Sequence, residues 1–229
     1  MSAFDAVCFD LDSTLCVSEQ SDAEIHQAVF DRCGVDPFFS PADVRAVDAA
    51  ELPTAESDRE FYESLYREVC ESVGGDPAHA PDLAAATVEV VDPAAVTFRE
   101  GAREALDRAR ERYDVGLITN GGEATQSAKL EALGIADAFD ATVFCDPTDG
   151  VAPKPDPTPF ERALAALDAP PERTLYVGDS HAADVVGAHE AGLRSAWIPL
   201  VRHDAAPATD PDPAPTHRLE SMTDLAAVL

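Results

Sequence analysis

The sequence predicts an α/β protein, in which a mostly parallel sheet has helices on both faces and an all-helical segment is inserted after the first strand. Apolar, strand-like runs alternate with helix-like segments through the C-terminal half, and repeated strand–helix–strand units give a parallel sheet. Residues 16–97 break this alternation, because they contain helical signals without convincing strands and are too many for a loop. The predicted domains are therefore a core of residues 1–15 and 98–229 and an inserted helical domain of residues 16–97.

The elements of the core follow from apolar periodicity and from glycines that end helices, such as Gly134 and Gly192. The stretch 205–215 is rich in Pro, Asp and Ala and is interpreted as an extended surface linker. The predicted strands are 5–9, 115–119, 141–145, 174–177 and 195–198, and the predicted helices are 100–112, 124–133, 157–167, 182–191 and 223–228.

Capping signals predict four helices in the inserted segment. Ser21 and Glu24 form a capping box at the start of the first, and Ser40 begins the second. The third and fourth lie around residues 61–69 and 81–90.

The charge of the chain limits its partners. The 229 residues contain 44 Asp and Glu against 16 Lys and Arg, a net charge of −28, which argues against nucleic acid or an anionic membrane as the main partner. Lys129 and Lys154 are the chain's two lysines. Abundant Asp and Glu with scarce Lys predict a halophilic protein from a cytosol with molar salt, where the Debye length is about 3 Å.

The cellular location of the protein is predicted from the segments for secretion and membrane insertion that the sequence does not show. The N-terminal residues form neither a basic leader nor a long apolar stretch, and no run approaches the roughly 20 apolar residues of a membrane helix. We therefore expect a soluble, cytoplasmic protein. The cysteines are scattered and never in CxxC spacing, which disfavours zinc and disulfides; they are Cys8, Cys16, Cys33, Cys70 and Cys145.

Asp10 and Asp12 follow the first predicted strand. Side chains at positions i and i+2 of an extended segment point the same way, so the two carboxylates are expected to converge on one site. Carboxylates that close repel each other unless a cation or a proton separates them. The pair therefore predicts a hard metal ion such as Mg²⁺, or a raised pKa on one member.

Three further polar signatures follow predicted strands. Thr119, Asn120 and Gly121 offer a hydroxyl, an amide and backbone N–H groups at a helix start, which suit an oxyanion or a phosphate of the substrate. Lys154 lies between two prolines, which stiffen the backbone around a compact ammonium group.

The last signature is Asp179 and Asp184. Asp179 at a strand end can reach the same cation as Asp10. Asp184 lies one helical turn further, where it either orients that site through water or hydrogen bonds or is an ordinary first-turn acid.

Four motifs follow one another along the chain in a recognisable order. They are FDLDSTL at Phe9–Leu15, TNGGEATQSAKLEALGI at Thr119–Ile135, KPDPTPF at Lys154–Phe160 and GDSHAADVVGAHEAG at Gly178–Gly192. On these motifs the chain resembles the haloacid dehalogenase (HAD) superfamily, in the phosphoglycolate phosphatase-like subgroup with a helical cap inserted after the first motif. The resemblance implies a Rossmann-like core.

The resemblance also implies roles and an activity. Asp10 would be the nucleophile that forms an aspartyl phosphate, and Asp12 the acid for the leaving alcohol and then the base for water. Thr119 and nearby backbone N–H groups would bind the transferring oxygens, and Lys154 would neutralise charge. Mg²⁺ would be held by Asp10, the backbone carbonyl of Asp12, and Asp179. The implied reaction is hydrolysis of a small phosphorylated metabolite.

The sequence departs from the family pattern at two positions and leaves alternatives open. Ser13 stands where these hydrolases most often have Gly, and Val17 where many relatives with this cap have an acid. A phosphomutase of the β-phosphoglucomutase type, a 2-haloacid dehalogenase and a non-catalytic HAD-like binding module are the alternatives. The candidate substrate contacts in the inserted segment, which could equally be solvated charges, are Arg32, Arg45, Arg59 and Arg67.

Overall fold

The computed structural model describes residues 4–47, 52–146, 150–200 and 209–229. The chain divides into two compact units, one formed by Met1–Val17 with Val96–Leu229 and the other by Ser18–Ala95. Each boundary lies two residues from the predicted one. We call these the core unit and the helical unit.

A six-stranded parallel sheet forms the centre of the core unit. The strands of the described chain are β1 (Ala6–Phe9), β2 (Cys16–Ser18), β3 (Val96–Phe98), β4 (Asp114–Asn120), β5 (Ala141–Cys145), β6 (Thr174–Gly178), β7 (Arg194–Trp197) and β8 (His217–Arg218). The sheet order is β5-β4-β1-β6-β7-β8, so β1 lies between β4 and β6 with parallel pairing on both sides. The predicted α/β class is confirmed.

Each face of this sheet has its own apolar cluster. Val7 and Phe9 of β1 pack with Leu117 in one cluster, whereas Ala6 and Cys8 pack in the other. This alternation along β1 follows from the period of two in a strand. Both faces are covered, as a parallel sheet requires.

The α-helices of the described chain occur where periodicity and caps predict them, with small shifts at their ends. They are α1 (Asp22–Cys33), α2 (Pro41–Ala46), α3 (Asp58–Val73), α4 (Ala80–Val90), α5 (Ala102–Arg110), α6 (Glu123–Leu133), α7 (Thr158–Leu167) and α8 (Val186–Glu190). The helix predicted at 182–191 begins instead as a π-helical turn, His181–Val185, that leads into α8.

Other predictions at the C-terminus need correction. The α-helix predicted at 223–228 is a 3₁₀ helix, Met222–Ala227; a segment of six residues forms few i→i+4 bonds, and short pieces often adopt 3₁₀ geometry. Strands β2, β3 and β8 were not predicted, because two or three residues give no detectable period. The predicted linker 205–215 lies partly outside the described residues, and its remainder is irregular.

The helical unit has an apolar core rich in aromatic rings. Phe39 packs with Phe30 and Tyr66 at ring-centroid distances of 4.9 and 5.7 Å. The predicted capping box is present, since the Glu24 backbone N–H donates to Ser21 and the Glu24 carboxylate accepts from the Ser21 N–H. Three of the four candidate arginines form ion pairs inside the unit, Arg32 with Glu89, Arg45 with Asp22 and Arg67 with Glu63.

The described helices are all too short or too polar to span a membrane. All five cysteines are free thiols.

Candidate active site

The site lies at the carboxyl ends of the three central strands. Asp10 follows β1, Asn120 ends β4, and Asp179 follows Gly178 at the end of β6. Because β1 pairs in parallel with both β4 and β6, these ends meet at one edge of the sheet. Ligands of open parallel sheets bind at such an edge.

Lys154 forms a buried ion pair with Asp10. Its ammonium Nζ lies 2.7 Å from Asp10 Oδ1 and 2.8 Å from Asp184 Oδ1. It also contacts the Tyr176 hydroxyl at 2.7 Å and the Ile118 carbonyl at 3.1 Å. The Lys154 side chain is only 2% exposed. Although burial disfavours its charge, Asp10 and Asp184 raise the pKa of Lys154 above its ordinary value.

Asn120 holds the backbone of the Lys154 loop. The Lys154 N–H donates to Asn120 Oδ1 at 2.9 Å, and Asn120 Nδ2 donates to the Lys154 carbonyl at 3.2 Å. Both ends of the amide are therefore engaged with this loop. A direct contact of Asn120 with substrate stays a prediction.

Three carboxylates lie close enough to hold one metal ion. Asp10, Asp179 and Asp184 each offer an oxygen, and these oxygens lie within 4.8 Å of one another. Burial, followed by the charge of neighbouring carboxylates, raises the pKa of Asp179 to about 7. Burial likewise raises the pKa of Asp10 to about 7, against the opposing charge of Lys154.

This donor set fits Mg²⁺. Carboxylate oxygens are the hard ligands that Mg²⁺ prefers, and one ammonium cannot neutralise three carboxylates of which two are buried and one is half-buried. A divalent cation would remove the repulsion that raises the pKa of Asp10 and Asp179.

Asp184 is buried, and is therefore not an ordinary first-turn acid. It is 2% exposed, and its Oδ2 accepts from the Ser180 N–H at 2.9 Å. Gly178 permits this position, since a Cβ there would lie 2.4 Å from Asp184 Cγ. Its carboxylate thus lies closer to the predicted metal site than the sequence indicated.

The Asp12 side chain points to different partners, and the prediction that it converges with Asp10 on one cation needs correction. Lys129 Nζ lies 2.8 Å from both Asp12 oxygens, and Gln126 Nε2 donates to Asp12 Oδ2 at 2.8 Å. The strand rule fails because β1 ends at Phe9, before the two aspartates. Use of the Asp12 backbone carbonyl as a metal ligand stays a prediction.

Ser13 adopts a left-handed backbone conformation, which glycine takes up more readily than other residues. Its φ is 64°, which costs an L-residue about 1–2 kcal/mol relative to the right-handed region. Hydrogen bonds hold it there, because the Ser13 N–H donates to the Cys16 carbonyl at 2.7 Å and Arg99 Nη1 donates to the Ser13 carbonyl at 2.7 Å.

Thr119 and Gly121 border the site beside Gln126. Thr119 is buried, and its Oγ1 accepts from Gln126 Nε2. Gly121 has a φ of 134°, and a Cβ there would lie 3.1 Å from Gln126 Cδ. Gln126, Lys129 and Tyr176 were not predicted as site residues; the rarity of lysine was the signal that could have found Lys129.

Comparison with known proteins identifies the family. A family model of haloacid dehalogenase-like hydrolases matches residues 4–192, so the chain belongs to this family of hydrolases. It is 34% identical over 157 residues to phosphoserine phosphatase from Thermus thermophilus, covering 66% of this chain and 60% of that protein. It is 35% identical over 122 residues to pyrophosphatase PpaX from Bacillus cereus, covering 52% and 53%. The matches span less than two thirds of either relative.

Solved structures share the fold over nearly the whole chain. YfnB, a HAD hydrolase from Bacillus subtilis solved with bound magnesium, has a TM-score of 0.75 at 20% identity and covers 99% of this chain and 98% of its own. A HAD phosphatase from Thermococcus onnurineus has a TM-score of 0.66 at 20% identity, with 98% and 97% covered. At 20% sequence identity, the similarity to these two structures shows only that the fold is shared.

Proposed function

We propose that the protein is a Mg²⁺-dependent phosphatase that hydrolyses a small phosphate monoester through an aspartyl phosphate on Asp10. The observation that carries the proposal is the buried Asp10–Lys154 ion pair of 2.7 Å beside the carboxylates of Asp179 and Asp184. The names of the relatives, phosphoserine phosphatase and pyrophosphatase, support phosphorylated substrates.

Asp10 would supply the nucleophile. Lys154 binds Oδ1, and Oδ2 accepts no hydrogen bond from the described residues, which leaves it available for attack. Formation of the Oδ2–P bond would break the P–O bond to the alcohol, whose oxygen takes a proton from Asp12. Water would then attack phosphorus and give its proton to Asp12. The bond between Asp10 Oδ2 and phosphorus would break, so phosphate leaves and the Asp10 carboxylate is restored.

Charge on the transferring phosphoryl group would be stabilised by donors around it. Lys154 supplies an ammonium, Thr119 a hydroxyl, and the segment from Asn120 to Gly121 backbone N–H groups before α6. Asp10, Asp179 and the Asp12 carbonyl would hold Mg²⁺, with Asp184 beside them. The bound ion would neutralise developing negative charge and orient the phosphoryl oxygens.

The alternatives fit the site less well. A 2-haloacid dehalogenase needs neither a second acid nor a metal, yet Asp12 and a cluster of three carboxylates are present. A binding module would not need a buried nucleophile and its lysine. A phosphomutase would use the same core residues and is separated from a phosphatase by assay.

We also infer a halophilic, cytoplasmic setting. Two observations support this inference. The net charge is −28, and both lysines form ion pairs with carboxylates of the site, whereas the other 14 of the 16 Lys and Arg residues are Arg.

The test measures release of nitrophenol and phosphate from p-nitrophenyl phosphate with Mg²⁺ in molar KCl. Asp10→Asn should eliminate turnover, because an amide cannot form the covalent intermediate at a useful rate. Asp12→Asn should give a burst of nitrophenol and then turnover slowed about 10²- to 10⁴-fold, since hydrolysis of the intermediate needs a base. EDTA should abolish turnover of the unmodified protein.

Asp82→Asn is the control, since it removes one exposed carboxylate in the helical unit. Mass spectrometry should find phosphate on the peptide containing Asp10. Turnover by Asp10→Asn, or phosphate on another residue, would overturn the proposed mechanism.

A further inference from the structure

Lys129 and Gln126 contact the site but have no role in the mechanism above. They lie three residues apart in α6, and residues at this spacing share one face of a helix. The Lys129 side chain is 15% exposed and lies 2.8 Å from both Asp12 oxygens. Gln126 is 1% exposed and donates to Asp12 Oδ2.

The Gln126 amide also connects Asp12 to the end of β4. Its Nε2 donates to Thr119 Oγ1 and lies 3.3 Å from the Asn120 carbonyl. The absence of a Cβ at Gly121 leaves room for this side chain. Asp12 is thereby attached to the rigid strand that also carries Thr119.

The site carboxylates fall into two sets, each with its own lysine. Lys154 binds Asp10 and Asp184, whereas Lys129 binds Asp12. These are the two lysines of the chain. The Asp12 side chain is 47% exposed, and its side-chain donors among the described residues are Lys129 and Gln126 at 2.8 Å and the Cys16 thiol at 4.0 Å.

We propose that Lys129, assisted by Gln126, is a positioning residue that holds the Asp12 carboxyl group where it gives its proton to the ester oxygen and then regains one from water, and keeps it apart from the carboxylates of the metal site. Catalytic groups act efficiently only when held within a fraction of an ångström of the productive geometry. Without the Lys129 ammonium group, the Asp12 side chain would change between several rotamers and could bind Mg²⁺ in place of its proposed role in proton transfer. The inference rests on the proposed phosphatase mechanism.

The test compares two substrates of nearly equal size, phenyl phosphate and p-nitrophenyl phosphate, in single-turnover rapid-quench experiments. Phenol needs a proton as it leaves, whereas nitrophenolate does not. Lys129→Met should slow release of phenol about 10²-fold, at the lower end of the range for general acid catalysis, and slow release of nitrophenol far less. The KM should change little, since Lys129 is not assigned to bind substrate.

Two variants complete the design. Lys129→Arg keeps a cation within reach of Asp12 and should restore most of the lost rate on phenyl phosphate, which a loss of packing would not explain. Arg103→Met is the matched control, because it also removes one cation from an ion pair in the core unit, that with Asp107 at 3.3 Å, and should leave both rates unchanged.

The outcomes separate the two proposals. Equal slowing on both substrates, a raised KM with unchanged release rates, or no effect of Lys129→Met would overturn the positioning role while the phosphatase proposal stands. An unmodified protein that phosphorylates Asp10 with neither ester would overturn the proposed function and, with it, this inference.

Discussion

The core unit and the helical unit bury different kinds of side chain. Among the described residues, the core unit buries Asp10, Lys154 and Asp184 in direct ion pairs, together with Gln126. Among its described residues the helical unit buries no charged side chain, only the uncharged hydroxyls of Tyr66 and Thr87, and its ion pairs use partly or largely exposed side chains.

The units also differ in charge. Ser18–Ala95 contains 18 Asp and Glu against four Arg, a net charge of −14, which is half of the chain's −28 in about a third of its length. None of these cations is a lysine. The helical unit thus has its charge on the surface, and the core unit has part of its charge inside.

This difference indicates where chemistry is located. Buried charge costs several kcal/mol per ion and rarely stabilises a fold better than apolar residues would. Clusters of buried charge with perturbed pKa values concentrate at functional sites. The helical unit, held by apolar and aromatic packing, can change its surface with little cost to folding.

The largest expected effect is the loss of the buried cation. Lys154→Met should lower the free energy of unfolding by about 3–5 kcal/mol, because it leaves the carboxylates of Asp10 and Asp184 buried without their partner. Arg67→Met removes an exposed partner of Glu63 in the helical unit and should cost about 0.3–0.5 kcal/mol. Urea unfolding of both variants in EDTA at pH 7.5 measures the difference. Similar losses of unfolding free energy in the two variants would contradict the difference between a buried and an exposed ion pair.

The second effect is a pH dependence that belongs to the core unit. In metal-free protein the pKa of Asp10 and that of Asp179 are raised to about 7, above the value near 3.9 of an unfolded chain. Their stabilising contribution is therefore complete below about pH 4 and is lost as the pH rises to about 7. In the proposed site Mg²⁺ would bind the ionised carboxylates, so it should raise the Tm more at pH 7.5 than at pH 5.

Melting curves of EDTA-treated protein with and without Mg²⁺ check this. At 100 times its dissociation constant, Mg²⁺ should add about 2.7 kcal/mol at pH 7.5. Asp179→Asn should flatten both the pH dependence and the response to Mg²⁺, whereas Asp82→Asn should not. An equal Mg²⁺ response at both pH values would show that these carboxylates do not bind the ion.

The fold was predictable where local patterns are long enough. Apolar runs predicted five strands of the sheet, and the capping box at Ser21 and Glu24 predicted the start of α1. Strands β2, β3 and β8 are too short to show a period, and they form only because tertiary structure supplies their partners. The π-helical turn at His181–Val185 carries the buried Asp184, and turns of this kind occur frequently at functional sites.

Candidate site residues could be proposed from the sequence where a polar side chain follows a strand or a special loop. Asp10 and Asp179 were chosen because parallel strand ends meet at one edge, and Lys154 because of its flanking prolines; their roles in catalysis and metal binding stay predictions. The partners of Asp12 were not chosen, because α6 brings Lys129 and Gln126 to it from more than 100 positions away in the sequence. Tyr176 lies inside an apolar strand, and the sequence around it does not indicate that its hydroxyl contacts Lys154.

The third effect concerns salt and should be greater in the helical unit. Between 0.1 M and 1 M salt the Debye length falls from about 10 Å to about 3 Å, which screens the repulsion among surface carboxylates. Amide hydrogen exchange of the whole chain in 0.1 M and 2 M KCl should show a larger gain of protection in peptides from Ser18–Ala95 than in peptides from the sheet. No gain in either unit would contradict the halophilic interpretation.

The smallest effect compares one buried tyrosine hydroxyl in each unit. Thr87 Oγ1 donates to the Leu83 carbonyl at 2.8 Å, so the Tyr66 hydroxyl must be the donor in its 2.8 Å bond to Thr87. Tyr66→Phe therefore removes one neutral hydrogen bond and should cost about 1 kcal/mol with unchanged turnover.

The Tyr176 hydroxyl bonds to charged groups, since it accepts from Lys154 at 2.7 Å and lies 3.1 Å from Asp184 Oδ1. Hydrogen bonds to charged groups contribute about 1.5–3 kcal/mol, so Tyr176→Phe should cost more than Tyr66→Phe. It should also reduce kcat, because Lys154 loses one of the contacts that fix its ammonium against Asp10. Both substitutions delete one hydroxyl oxygen. The losses in free energy of unfolding and in kcat of the two variants therefore compare a hydroxyl bonded to a neutral group with one bonded to charged groups. Equal costs with unchanged kcat would show that the core unit holds Lys154 without this hydroxyl.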